Sequence, residues 1–193
     1  GFEDADVTAM TSVQLHGITS TQLGYLTAVQ LNALTAANVA DITDAQLDGL
    51  KSTQLTTVDA QFFGALTSSQ LAGLTTVQIK GINTTDIAAL TTSQVDGLSS
   101  AQIGALVATQ VKALEGAGLV SLTTAQLSGL TATQMVLLTS TQLNSFETGT
   151  IGALSTTQIR AISSANIDAL DVAHFGALTA NQIANLTSTQ VKG

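Results

Sequence analysis

The side chains able to do chemistry in this chain are hydroxyls, amides and carboxylates, with two imidazoles, His16 and His174, and no thiol. A hydroxyl nucleophile needs a base within hydrogen-bond reach and a third group to orient that base. Such a site would show a Ser or Thr standing apart from the general pattern beside His and Asp, and none stands apart, because Ser and Thr recur at fixed positions along the whole chain. The two histidines occupy different positions of that recurring pattern and are far apart in sequence, so they form no local ligand set and read as structural or solvated residues. Glu3, Asp4 and Asp6, and the looser set Asp41, Asp44 and Asp48, lack the Gly-rich, Asp-patterned loops of calcium-binding repeats and read as a charged end and a charged edge. Glu115-Gly116-Ala117-Gly118 leads into no phosphate-binding motif. No catalytic, cofactor-binding or metal residue is assigned, and no enzyme is expected.

The pattern that absorbs these residues is an octad. From Phe2 to Gly193 the 193-residue chain repeats every 8 residues through 24 units with no insertion or deletion. A typical unit is Leu122-Thr123-Thr124-Ala125-Gln126-Leu127-Ser128-Gly129. Positions one and six are apolar in all 24 octads, so these two columns are the candidate core. Their spacing alternates 5 and 3, which puts them on opposite faces of an uninterrupted strand. Eight residues of one continuous helix would drift by about 80° per unit, so the chain must turn between octads. Position two is Thr in 13 octads and position five is Gln in 16, the Thr-x-x-Gln capping box in which the hydroxyl and the side-chain amide each satisfy a backbone N–H at a helix start. The expected fold is an all-α solenoid of very short capped helices, each too short to stand alone and stable only against its neighbours. The alternative is a β-solenoid, favoured by the abundant Thr, Ile and Val.

A longer period overlies the octad. Position seven is mostly polar or charged in even octads (His16, Asp48, Lys80, Asp96, Lys112, Arg160) and mostly small in odd ones (Gly24, Ala72, Gly104, Gly152). Position eight reverses this, with Gly, Ala or Ser throughout the even octads. The simplest reading is a 16-residue coil of two helices, giving one solenoid over residues 2–193 with 12 two-helix coils, a rod on the order of 100 Å long at the usual helix spacing. Even position seven would then form one polar ridge, and small position-eight residues would permit the turn into the next cap. Phe62 and Phe63 read as local core filling, while residues 115–118 and 146–151 read as points where capping is lost.

Hydrophobic residues make up 45% of the chain and charged residues 9%, too apolar for disorder, yet no run is long enough to span a bilayer. A net charge of −8 speaks against a nucleic-acid surface, and no membrane insertion and no cofactor are expected. The missing Cys excludes disulfides. The sequons at Asn83 and Asn185 are expected by chance in a Thr-rich chain. The opening residues carry no targeting segment, and the last octad keeps the full consensus with no polar closing unit, which suggests a piece of a longer array or a subunit that stacks on itself. The Leu-Thr-x-x-Gln-Leu/Ile-x-Ala/Gly array resembles repeat regions of very large secreted or surface proteins of bacteria, some adhesin-like. That resemblance implies an extracellular, stalk-like placement and transfers no binding residues. The expected function is a structural spacer, a stalk or filament segment with self as partner. The alternative is a binding module for carbohydrate, protein or ice built on the Ser/Thr-rich positions three and four; an acidic DNA mimic is disfavoured by the mixed charges at position seven.

Overall fold

The computed structural model of the chain describes residues 2–114 and 117–192. Each octad forms one helix of 4 to 6 residues, 24 in all from Asp4–Thr8 to Ser188–Lys192, and no strand occurs among the described residues. The β-solenoid is thereby ruled out for them, and the all-α solenoid of short capped helices is what the chain forms. Of the degenerate stretch, Glu115 and Gly116 lie outside the described residues, and a helix resumes at Ala117–Val120.

The caps form as the sequence dictates. In Thr123-Thr124-Ala125-Gln126, the Thr123 hydroxyl accepts from the Gln126 backbone N–H at 3.3 Å, and Gln126 Oε1 accepts the Thr123 N–H at 2.9 Å and its hydroxyl at 3.0 Å. Where position two is Lys51 or Val107 there is no side-chain cap, yet Gln54 and Gln110 still accept the backbone N–H at 2.8 Å. At Glu147 the capping side-chain bond is absent, consistent with lost capping over residues 146–151. Each helix starts from an extended cap residue, such as Thr123 at φ −69°, ψ 161°. The C-cap either stays helical, as Gly129 does at φ −74°, or goes straight to the extended conformation, as Leu74 does at φ −63°, ψ 138°.

The chain divides into two compact units, Gly1–Leu98 and Ser99–Gly193. In the first, Ser20–Leu23 packs on Asp44–Leu47, and Ser52–Leu55 on Thr76–Gly81; in the second, Ser100–Ala105 packs on Thr124–Ser128, and Ala132–Met135 on Thr156–Ala161. In every one of these pairs the partner lies three octads, 24 residues, further along. The coil therefore holds three helices, four coils to a unit, and the two-helix, 16-residue coil is corrected. Each octad turns the chain by a third of a revolution, so columns one and six of three helices converge on one central core. Column six is buried in every octad from Val7 to Ile167, and column one from Ile18 to Ile162. Each such Leu or Ile contributes about 1.5–3 kcal/mol of burial free energy, which no helix of five residues supplies from its own hydrogen bonds. Phe62 and Phe63 fill the same core with their rings edge to face at 5.9 Å.

The 16-residue alternation is real and has a different cause. Three is odd, so an even octad always stacks on an odd one and the reverse, and the parity of an octad marks alternate layers along each face. Where even lies over odd, backbones meet directly: a Cβ added at Gly97 would come within 2.7 Å of Ser68 O, and one at Gly81 would collide with the Ser52 carbonyl. Where odd lies over even, polar position-seven side chains bridge the gap: His16 Nε2 lies 2.9 Å from Asp41 O and Asn144 Nδ2 donates to Ala169 O at 2.8 Å. The glycines of position eight thus serve close approach between coils, with helical φ such as −71° at Gly97, and not a positive-φ turn into the next cap. The expected polar ridge becomes separate rows, one for each side of the coil.

Candidate functional site: the seam between coils

The residues the sequence singles out come together in one feature, the hydrogen-bonded seam between successive coils. Column five supplies it. Gln46 Nε2 donates to Leu15 O and Ile18 O, both at 2.7 Å; Gln78 repeats this on Leu47 O and Leu50 O at 2.7 and 2.9 Å, and Gln158 on Leu127 O and Leu130 O at 2.7 and 2.8 Å. In these three the acceptors are 31 and 28 residues back, at the C-terminal end of a helix in the coil beneath; Gln54 reaches only the nearer one, Leu26 O at 2.6 Å. Leu15 O, Leu47 O and Leu127 O each already accept the backbone N–H three residues on and take the amide as a second donor, while Ile18 O, Leu50 O and Leu130 O lie past the helix end. One primary amide thus closes the start of its own helix with Oε1 and the end of another with Nε2. The glutamines are correspondingly buried, Gln78 at 3% exposure and Gln110 at 1%. The capping half of this role was legible in sequence and the bridging half was missed. Its signal is that Glu, which serves a capping box as well as Gln, never occurs at position five.

Three substitutions in the column keep the inter-coil bond. Asn38 Nδ2 reaches Met10 O at 3.0 Å, Asn166 Nδ2 reaches Leu138 O at 2.7 Å, and His174 Nε2 lies 2.8 Å from Phe146 O, each 28 residues back. Asp86 inverts the arrangement: Asn83 at the cap donates its Nδ2 to Asp86 Oδ2 at 2.6 Å. Burial pushes the Asp86 carboxyl up to about 6, the Asn83 bond opposing and the charge of Asp59 adding to the rise. For His174, burial resists protonation, but the Phe146 carbonyl and the Asp171 carboxylate outweigh it and hold the imidazole above its ordinary value. Asp171 is held low, first by the His174 backbone N–H and then by the ring.

The other candidates stay apart. His16 and His174 lie in different units, and no group of three or more His, Asp or Glu is placed to hold a metal ion among the described residues. No helix among them is long and apolar enough to cross a membrane. Against the last coil of the second unit lies an open concavity of about 600 Å³ lined by Ile167, Leu170, Val172, Phe175, Ile183 and Leu186. There column six, having no coil upon it, is exposed, Phe175 at 47% and Ile183 at 40%. The geometry holds coils to one another through a repeating set of bonds. Against curated proteins the chain finds no significant match. A family model described as the ALTTAQ repeat matches residues 1–36, 79–116 and 143–180, together more than half of the chain. The matched motif is the turn of small residue, apolar anchor, capping Thr and bridging Gln from which the seam is built, and the chain belongs to the ALTTAQ repeat family.

Proposed function

We propose that the array is a structural spacer, a segment of a stalk or self-stacking filament on a cell surface, with no reaction of its own. The observation that carries this reading is the recurrence of the seam within each unit: coils offer their neighbours two apolar columns and terminal carbonyls, and glutamines such as Gln46, Gln78, Gln158 and Gln182 donate to them in the same 28- and 31-residue register. A coil that reproduces its own docking surface can be added without redesign, so coil number sets reach. The hydroxyls of position two are engaged in caps, which leaves them poorly available for ligands.

Small-angle scattering of the 193-residue chain tests it. An uninterrupted stack of eight coils at about 9 Å each would measure about 70–80 Å, with a radius of gyration near about 23 Å. A value near about 16 Å, that of a globular domain of this length, would remove the spacer reading.

A further inference from the structure

Column five is built from a group that does not titrate, the Gln amide, and His174 stands in it as an exception. Its Nε2 lies 2.8 Å from the Phe146 carbonyl oxygen and its Nδ1 2.7 Å from Asp171 Oδ1, which also accepts the His174 backbone N–H at 2.8 Å. Both neighbours of the ring are acceptors. A carbonyl oxygen has no proton to give, and the Asp171 carboxyl, held low by these bonds, is ionised. A neutral imidazole carries one N–H and satisfies one of the two contacts, whereas the imidazolium satisfies both and reproduces the Gln pattern of one bond within the helix start and one to the coil beneath.

We propose that the junction between the helices Thr148–Ile151 and Val172–Gly176 is a proton-operated clasp, closed when His174 carries two ring protons and slackened when it carries one. The surroundings leave Asp171 as the acid in contact with the ring. The stacked helix Thr148–Ile151 brings Glu147, exposed at its cap; the preceding helix Ser164–Asp168 ends on exposed Asp168; the following helix Ala180–Ala184 brings no ionisable side chain. The sign follows from a folded-state value held above the unfolded one: the clasp's contribution is complete below the ordinary histidine value and is lost as pH rises through the folded value. The other described column-five links of the second unit are Gln and Asn amides indifferent to pH, so within that unit loosening is confined to this seam.

Imidazole NMR of the intact chain tests this directly. His174 should titrate above about 6.5, the model-histidine value, and Asp171→Asn, which keeps a capping side chain, should bring it down. Amide-exchange protection in Val172–Gly176, referenced to Ala132–Met135 in the same unit, should fall between pH 6 and 8, about tenfold for each unit by which the folded value is raised. His174→Gln, which restores the family's own residue, should hold protection constant over that range. A His174 midpoint at or below the free value, or a His174→Gln chain that loses protection like the parent, overturns the clasp.

Discussion

A carboxylate oxygen can cap a helix start as well as an amide oxygen does, so what column five selects is the N–H₂ group. Gln134 shows the consequence: Oε1 accepts the Thr131 N–H at 2.7 Å while Nε2 donates to Ile103 O at 3.0 Å and Leu106 O at 2.8 Å, with the side chain 4% exposed. Gln134→Glu keeps the cap but turns a donor into a buried charge facing two carbonyls, and should cost about 2–4 kcal/mol at neutral pH. Thr131→Ala removes the cap hydroxyl alone and should cost about 1 kcal/mol. Urea denaturation followed by circular dichroism separates them, and equal losses would show that the bridging bonds contribute nothing. Asp86 is the natural counterpart. Its folded value of about 6 lies above the ordinary 3.8, so the folded state holds the proton more tightly. Stability should be highest below pH 4, decline as pH rises between 4 and 6, and level off above. Asp86→Asn should flatten that dependence; a parent chain already flat between pH 4 and 6 would contradict the buried carboxyl.

At the scale of the element, a helix of five residues has too few internal bonds to persist, so its existence is decided by its ends and by what lies over it. The ends were legible, because a hydroxyl and an amide three residues apart have one shared use at a helix start. What lies over it was not: Gly at position eight reads as a turn residue in sequence, and only the stacked backbone reveals it as a contact residue. Gly81 and Gly64 separate the two meanings. A Cβ at Gly81 would collide with the Ser52 carbonyl of the coil beneath, whereas one at Gly64, within Ala60–Ala65, meets nothing within 4 Å. Gly81→Ala should therefore cost about 1–3 kcal/mol through forced separation of the coils. Gly64→Ala should stabilise by about 0.5–1 kcal/mol, since a helical site then loses glycine's extra freedom in the unfolded chain. Thermal melts of the two variants read the difference, and a shift in the same direction for both would refute the contact role.

For the molecule as a whole, the sequence carries the octad and its parity but leaves the coil number open. An alternation of period 16 is equally the mark of two helices per coil or of any odd number of helices per coil with alternating layers. Only the pairing of Ser52–Leu55 with Thr76–Gly81, and its counterparts in the second unit, selects three. The core columns were legible because position, not pairing, decides them: Leu127 and Leu130 are 1% and 4% exposed. Coils that contact only their neighbours make damage local but shared. Leu127→Asp places an unpaired carboxylate in the core and should cost about 4 kcal/mol or more, unfolding its own coil. The loss should reach Ser100–Ala105, on which the Leu127 helix packs, and weaken with distance along the second unit. Lys112→Ala, at an exposed position on Ala108–Ala113, should change stability by less than about 0.5 kcal/mol. Site-resolved amide exchange on both variants distinguishes a stack from a single cooperative core: graded protection centred on residue 127 is the signature of neighbour-only coupling, and uniform loss across the unit would refute it.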